Sequence, residues 1–312
     1  IVNKIKENSL LILAGDIHQI EAIEFGNWFY YAKNMIVTKG ANVELSNTWR
    51  TDDPKLIGLW NEVREHKPLI TERMAIDGPF SEKIGADLLK EDEYKDHVVL
   101  CLNYDGKFGL NNMNNYFQCA NNKGEPVVWD EWTYKKGDPV LFNDSKRFPI
   151  LYNNLKGWIA EIEKTKKEIQ FTIDIDLMLT EKECKENGIE YIGENGKYTR
   201  IRFSVFKYDN NVPDDKEDKI DEMRMKAVVP FQLAYAVSIH KAQGLEYDSV
   251  KIVIPDSNSE RVTHGVFYTA ITRAKKKLKI YWSAETMQSI VDEFSNDEMG
   301  NRSLEIIKKK LS

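Results

Sequence analysis

Two polar segments late in the chain combine side chains that can bind phosphate. The first, SIHKAQGLEY at 238–247, follows an apolar stretch predicted to be a strand and precedes a second predicted strand at 249–254. The second, YTAITRA at 268–274, lies on a predicted helix that leads into a strand at 278–282. Hydroxyl and ammonium groups donate hydrogen bonds to phosphate, and arginine matches its geometry with a planar fork. The two segments therefore indicate phosphate chemistry.

Each segment taken alone also fits an ordinary surface. A histidine, a lysine and a glutamate in a loop are usually solvated. Arg273 precedes the lysines at 275–277, so it also fits one more cation in a basic face. The order and spacing of the two segments, with matching segments upstream, favour a shared site.

Length and composition limit the classes of protein that the chain fits. Its 312 residues allow two compact units or one α/β domain with an insertion. The 42% of hydrophobic and 30% of charged residues are typical of a soluble chain with a sizeable core. The net charge of -6 gives no overall attraction to nucleic acid, so binding would need a local basic surface. No apolar run approaches the length of a membrane span.

The three cysteines, Cys101, Cys119 and Cys184, are far apart in the sequence. An odd number without Cys-x-x-Cys spacing indicates neither a disulfide framework nor a zinc site, so no metal site is predicted. We therefore expect a reducing, cytoplasmic setting.

The segment SLLILAGDIHQIE at 9–21 places polar residues after an apolar run. Its apolar residues predict a buried parallel strand. Asp16, His18 and Gln19 stand at the carboxyl end, where α/β sheets place their ligands. By itself the pattern also fits a Walker B strand or an ordinary turn after a strand.

A strand followed by a helix is predicted within 43–65. Thr51 or Asp52 is the predicted N-cap, Pro54 lies in the first turn, and apolar residues then repeat at helical spacing. Arg50 stands at the end of the strand. It either contacts a ligand or pairs with a nearby acid such as Asp52 or Asp53.

Another strand and helix are predicted from His97 onward. The strand leads to a polar turn at 103–109 and to a helix that begins near Asn111. Asn111 and Asn112 fit contacts with nucleic acid, and they also fit a helix cap.

The sequence pattern changes to short, strongly alternating runs at 134–208. Ile169, Phe171, Ile173 and Ile175 share one face of a predicted strand, with polar residues on the other face. Turn signals separate the runs. We therefore predict a small all-β barrel inserted into an α/β domain.

These motifs resemble those of superfamily-one DNA helicases. The segments at 238–246 and 268–274 resemble motifs V and VI, and those at 15–20 and 47–51 resemble motifs III and IV. Gly-Asp-Pro-Val-x-Phe at 137–142 resembles the Src-homology-like barrel of the RecD-type branch, whereas the corresponding insertion of the UvrD type is helical. The resemblance implies an α/β fold, a RecA-like parallel sheet domain with an inserted small all-β (Src-homology-like) barrel.

The same resemblance implies roles for individual residues. Gln19 would sense the γ-phosphate from the first motor domain, Arg50 would contact it from the second, and Arg273 would be the arginine finger. The implied nucleotide-binding residues are Asp16, Gln243, Gly244 and Glu246, and the implied nucleic-acid contacts are Ser238, His240, Lys241, Thr269 and Asn111.

The implied function is that of an ATP-dependent DNA helicase or translocase in DNA repair or recombination. Its cofactors would be ATP and Mg2+, and its partner single-stranded DNA. No Gly-x-x-x-x-Gly-Lys-Ser/Thr loop occurs in the sequence. We therefore expect a fragment without ATPase activity of its own, with the magnesium ligands mainly in a missing N-terminal part. Two alternatives stay open: a nucleotide- or nucleic-acid-binding module without catalysis, and an RNA helicase of the same superfamily.

The resemblance also predicts a division of the chain. The end of the first RecA-like domain would occupy 1–35, and the second would be split between 36–133 and 227–312, which ends in an amphipathic helix. The barrel at 134–208 and an acidic connector at 209–226 would lie between the two halves.

Overall fold

The computed structural model describes residues 6, 9–20, 28–35, 41–45, 47–67, 70–207, 223–256, 262–294 and 309. Most of the predicted acidic connector lies outside these residues. The strands, in chain order, are β1 Ser81–Glu82, β2 His97–Cys101, β3 Val127–Trp129, β4 Trp132–Tyr134, β5 Pro139–Phe142, β6 Lys156–Lys164, β7 Glu168–Ile175, β8 Glu190–Asn195, β9 Tyr198–Phe206, β10 Phe231–Leu233, β11 Ala236–Ser238, β12 Tyr247–Val253 and β13 Ala274–Tyr281. The α-helices are α1 Trp28–Met35, α2 Pro54–Arg64, α3 Ile70–Arg73, α4 Leu110–Ala120, α5 Glu181–Glu186, α6 His264–Ile271 and α7 Ala284–Phe294, and a 3-10 turn spans Ala86–Leu89.

Five strands form a parallel sheet in the order β1-β13-β12-β2-β11. Successive residues of β2 enter two different cores. Val98 and Leu100 pack with α2, α6 and α7, whereas Val99 and Cys101 pack with α4. Burial on both faces explains why Val98 to Cys101 of β2 form a continuous apolar run. The predicted α/β class with a parallel sheet is confirmed.

Six strands form an antiparallel sheet in the order β10-β5-β6-β7-β9-β8. The four β7 residues predicted to share a face are fully buried in its core. Asp174, on the other face of β7, is also buried, because Arg200 of β9 binds its carboxylate at 2.7 Å. The chain returns to this sheet in β10, which pairs with β5 although its residues lie in the segment predicted to be α/β.

A two-stranded hairpin, β3–β4, precedes the antiparallel sheet. Trp129 and Tyr134 of this hairpin are buried in the same core as β7. The hairpin therefore packs with the antiparallel sheet, and the chain enters this core before residue 134.

Two predicted strands are wrong. The described parts of 9–15 and 43–50 do not form strands, and Leu10, Ile12 and Trp49 are 83%, 76% and 92% exposed. An extended segment becomes a strand only when a neighbour satisfies its backbone groups. No strand in the described part of the chain lies beside either segment.

The helix predicted after Arg50 forms, but from a different cap. The Asp53 carboxylate accepts a hydrogen bond from the Lys55 amide, so Asp53 is the N-cap instead of Thr51 or Asp52. Pro54 occupies the first turn, as predicted, because its missing amide has no helical partner there.

The amphipathic helix predicted near the end of the chain is α7. It buries Met287, Ile290 and Phe294 against the core that it shares with α2 and α6. None of the helices within the described ranges is long and apolar enough to cross a membrane.

Candidate nucleotide and nucleic-acid site

The turn between β11 and β12 is closed by its own hydrogen bonds. The Ser238 hydroxyl accepts from the Lys241 amide at 3.3 Å, and the Ala242 amide donates to the Ser238 carbonyl at 3.0 Å. Gly244 has a φ of +82°, which a residue without a side chain adopts at little cost. We call residues 239–246 the motif V turn.

The residues of the motif V turn differ in exposure. His240 and Gln243 are exposed, whereas Ser238 before the turn is buried. The Lys241 ammonium donates to the side-chain oxygen of Gln232 at 2.6 Å. Ser238 therefore shapes the turn, and His240 is presented to solvent at its start.

Arg273 follows helix α6 and is only 1% exposed. Its guanidinium donates from Nε to the Thr269 carbonyl at 2.8 Å, from Nη1 to the Leu245 carbonyl at 3.0 Å and from Nη2 to the Thr272 hydroxyl at 2.9 Å. Burial, reinforced by the nearby positive charge of Arg50, lowers the pKa of Arg273 to about 10. The group therefore keeps its charge at neutral pH while it joins α6 to the motif V turn.

The lysines after Arg273 lie in a different environment. Lys275 approaches Asp248 at 3.3 Å, and Lys276 pairs with the same carboxylate at 3.2 Å. Lys276 is 56% exposed at its side chain, whereas Arg273 is buried. The interpretation of Arg273 as one more cation of a basic face is therefore wrong.

Arg50 pairs with the motif V turn. Its Nε lies 3.3 Å from the Glu246 carboxylate, and its Nη1 donates to the Thr272 carbonyl at 2.8 Å. The alternative that Arg50 pairs with an acid is right in kind, but the partner is Glu246 and not Asp52. Asp53 is unsuited to that pairing because its carboxylate caps α2.

The segment at 16–20 packs against helix α6. The Gln19 side chain donates to the Asp16 carboxylate at 3.0 Å, and the Ile20 amide donates to the Thr269 hydroxyl at 3.0 Å. A Cβ on Gly265 would lie 2.8 Å from the Gln19 carbonyl oxygen, so only glycine allows this approach. Thr269 is fully buried, so its hydroxyl serves this contact and does not lie on an exposed surface.

A ring cluster surrounds the start of helix α6. His18 has its ring centroid 6.2 Å from that of His264 and 6.0 Å from that of Tyr268, and His66 stacks on His264 at 4.2 Å. Burial lowers the pKa of His18 from its usual value of 6.5. The neutral imidazole is therefore the form that this cluster favours.

Asn111 is exposed near the carboxyl end of β2, and its side chain donates to the Asp105 carboxylate at 3.2 Å. Gly109 is the N-cap of α4 and no side chain caps that end, so the capping role predicted for Asn111 is wrong. In the sheet register Ser238 pairs with Cys101, which places the motif V turn and the loop before Asn111 at the same edge.

The structure therefore assembles most of the predicted residues. Arg50, Glu246 and Arg273 meet at the motif V turn and the end of α6, and the segment that carries Asp16 and Gln19 packs along that helix, from Gly265 to Thr269. Five of the remaining predicted residues lie on or beside the motif V turn: Ser238, His240, Lys241, Gln243 and Gly244.

Two residues of this region were missed by the sequence interpretation. Lys156 of β6 places its ammonium 2.8 Å from the Asp96 carboxylate and 3.0 Å from the Glu246 carbonyl oxygen. A lysine at the start of a strand and an aspartate before another carry no recognisable signal, and 60 residues separate them. Only the tertiary fold brings them to the motif V turn.

Comparisons with known proteins find similar families. The family model of the UvrD-like helicase C-terminal domain matches residues 233–281, which include the motif V turn, α6 and Arg273. This part of the chain is therefore a superfamily-one helicase region.

Two relatives that align with more of the chain indicate the type of helicase. The RecD subunit of the RecBCD enzyme of Buchnera aphidicola subsp. Schizaphis graminum is 26% identical over 62% of this chain and 26% of its own length. The RecD subunit of Haemophilus influenzae is 21% identical over 93% of this chain and 50% of its own length. The helicase region is of the RecD type, and the chain spans between about a quarter and a half of these relatives.

A solved structure of Bacteroides Pif1 bound to single-stranded DNA is also similar. The two chains share 16% sequence identity with a TM-score of 0.44, over 80% of this chain and 55% of that chain.

Proposed function

We propose that this chain is the C-terminal part of an ATP-dependent DNA helicase that couples ATP hydrolysis between two RecA-like domains to movement on single-stranded DNA. One observation carries the proposal. Arg50 lies 196 residues before Glu246 in the sequence, yet it meets Glu246 and Arg273 at the end of α6, and the segment that carries Gln19 packs along the same helix. Two arginines beside a glutamate suit a site where negative charge develops.

The nucleotide would lie against this group of residues. ATP when bound supplies the phosphoryl group, and magnesium neutralises part of its charge. Arg50 and Arg273 would stabilise the γ-phosphate, and Gln19 would sense it. The rest of the nucleotide site would be lined by Asp16, Gln243, Gly244 and Glu246. In the described part of the chain, no group of three or more His, Cys, Asp or Glu could hold a metal ion. We place the magnesium ligands in another part of the protein.

Arg273 would have to exchange partners to act as an arginine finger. Its three present acceptors are two neutral carbonyls and a hydroxyl. An anionic phosphate attracts a guanidinium more strongly than a neutral acceptor does. The exchange would release Leu245 and thereby the motif V turn, which would link the phosphate to the nucleic-acid residues.

Single-stranded DNA would follow the edge formed by the motif V turn and the loop before α4. His240, Lys241 and Asn111 would hold its backbone there, with Ser238 shaping the turn and Thr269 joining α6 to the Gln19 segment. The acidic net charge of -6 requires such a local surface.

The division of the chain belongs to the same proposal. The antiparallel sheet would be the Src-homology-like barrel, and the parallel sheet the second RecA-like domain. Residues 9–20 would be the last part of the first RecA-like domain, and their exposed leucines and isoleucine suit a strand whose partners belong to that domain.

Hydrolysis by the full-length protein tests the function. We expect ATP turnover that single-stranded DNA stimulates, and a loss of roughly 10³- to 10⁵-fold for Arg273→Lys, with nearly unchanged affinity for single-stranded DNA. Absence of stimulated turnover in the wild-type protein would contradict the proposal. Normal turnover of the variant with weaker, less salt-sensitive DNA binding would instead make Arg273 a DNA contact.

A further inference from the structure

Lys156 links the antiparallel sheet to the candidate site. It is the first residue of β6, 90 residues before Glu246, and its ammonium donates to the Glu246 carbonyl at 3.0 Å. The same ammonium binds Asp96 through both carboxylate oxygens, at 2.9 and 2.8 Å, and lies 3.3 Å from the Asp176 carboxylate. Three acceptor groups thus match the three donors of a lysine.

The side chains of Lys156 and its partner Asp96 are both largely buried. That of Lys156 is 11% exposed and that of Asp96 is 5% exposed. The ammonium also lies 4.8 Å from the centroid of the Tyr247 ring, the first residue of β12. A lysine held by so many partners fixes the position of the backbone between Glu246 and Tyr247.

Glu246 connects the backbone held by Lys156 to the side chain of Arg50. Its carboxylate pairs with Arg50 at 3.3 Å, whereas its backbone carbonyl accepts from Lys156 at 3.0 Å. The side chain and the carbonyl of one residue therefore join the antiparallel sheet to a candidate phosphate-binding arginine. A shift of the carbonyl would move the carboxylate with it.

We propose that Lys156 is a positioning residue that holds the motif V turn so that Glu246 orients Arg50 for phosphoryl transfer. The proposal rests on the proposed function for its catalytic consequence, although the holding of the turn can be measured without it. Because Lys156 belongs to the antiparallel sheet, a displacement of that sheet would shift the motif V turn.

Amide hydrogen exchange on the 312-residue chain tests the holding directly. The turn offers protected reporters, because the Leu245 amide donates to the Ala242 carbonyl and the Tyr247 amide to the Arg273 carbonyl, both at 2.9 Å. Lys156→Met keeps the aliphatic stem and removes the donors. We expect exchange at both amides to become about tenfold faster, as for the loss of a charged hydrogen bond.

A second variant separates positioning from charge balance. Lys156→Met leaves Asp96 buried with Lys275 at 3.9 Å as its remaining cation, and this alone would destabilise the fold. Lys156→Met/Asp96→Asn removes that unpaired charge. We expect the double variant to recover global stability while the turn amides still exchange fast. Recovery of wild-type exchange would mean that Lys156 only neutralises Asp96, and the proposal would be overturned.

Turnover of the full-length protein tests the catalytic consequence. We expect the double variant to lose roughly 10- to 100-fold in kcat with little change in KM for ATP, because misplacement of a positioned group affects the reacting geometry. Lys182→Met, at a side chain 84% exposed on α5, is the control and should match wild type in both assays. If wild-type protein shows no turnover, the proposed function fails, whereas the exchange rates still decide whether Lys156 holds the turn.

Wild-type kcat in a double variant whose turn amides exchange fast would overturn the positioning role. Unchanged exchange in Lys156→Met would overturn the holding itself.

Discussion

Arg273 contributes to folding as well as to the proposed chemistry, because its guanidinium satisfies three protein acceptors in a buried position. Lysine in its place can reach fewer of them. We expect Arg273→Lys to lower the free energy of unfolding of this chain by about 1–3 kcal/mol, the cost of leaving buried polar groups unpaired. Urea titration of the purified chain measures the change.

Arg202→Lys is the matched control for that measurement. Arg202 makes one close hydrogen bond, from Nε to the Thr172 hydroxyl at 3.0 Å, and two looser ion pairs of 3.8 and 4.0 Å with exposed glutamates. We expect its substitution to change the free energy of unfolding much less. Equal decreases in the free energy of unfolding of the two variants would show that the buried hydrogen bonds of Arg273 do not contribute more to stability than the contacts of Arg202.

His18 predicts a pH dependence of stability. Burial lowers its pKa below 6.5 in the folded chain, so the unfolded chain binds more protons as the pH falls through that range. The contribution of the neutral imidazole is present above pH 6.5 and is lost as the pH falls below it. We expect wild type to lose more stability than His18→Gln between neutral and mildly acidic pH in urea titrations. Parallel curves for the two proteins would contradict this.

At the scale of elements, helix α6 positions the segment that carries Gln19. A Cβ on Gly265 would lie 2.8 Å from the Gln19 carbonyl oxygen, too close for an unstrained contact. We expect Gly265→Ala to separate the two elements, which would expose the Ile20 amide to exchange, or to cost about 1–3 kcal/mol by overpacking. Hydrogen exchange at Ile20 and urea titration distinguish these outcomes.

Gly85→Ala is the control for the helix contact. Gly85 lies before the 3-10 turn, where an added Cβ would have an ordinary contact of 3.8 Å with the Lys83 carbonyl oxygen. We expect this variant to keep the exchange rate of Ile20. A Gly265→Ala protein that also behaves as wild type would mean that the 16–20 segment does not depend on α6.

Local sequence patterns predict the helices and strands in which the spacing of apolar residues alone determines which face is buried. The α2 and α7 helices and the alternating β7 strand agree with prediction because each buries one face or one set of residues in a core nearby. The apolar run at 9–15 and the segment at 43–50 do not become strands, because a strand also needs a neighbour that is distant in sequence.

The same distinction separates the candidate site residues that the sequence suggests from those that it does not suggest. The motif V turn and Arg273 are close in sequence, and both carry residue types that bind phosphate. Their local pattern therefore predicts a phosphate-binding site. Lys156 and Asp96 gain their roles only from contacts across the two sheets, and neither the partner of Arg50 nor that of Thr269 follows from local spacing.

At the scale of the whole molecule, a buried carboxylate joins the two sheets. Asp138 lies just before β5 and is fully buried. Its carboxylate accepts hydrogen bonds from the side-chain amide of Gln118 at 2.6 Å, the side-chain amide of Asn121 at 2.8 Å and the Tyr235 hydroxyl at 2.8 Å. Gln118 belongs to α4, and Tyr235 precedes β11, so the chain leaves and re-enters the parallel-sheet unit at this point. We expect Asp138→Ala to lower the free energy of unfolding by about 1–3 kcal/mol, since it leaves buried donors unpaired.

The antiparallel sheet should be removable as a unit, provided that the deletion follows its core. Replacement of 134–208 by a short Gly/Ser linker keeps Trp129 and Phe231, which are buried in that core, and would leave both exposed. Replacement of 127–233 removes the hairpin, the sheet and β10 together. We expect the longer deletion to unfold cooperatively and the shorter one to be less soluble, because exposed aromatic residues promote association. Circular dichroism during urea titration compares them, and a cooperative, soluble shorter deletion would show that the boundary lies at 134–208 after all.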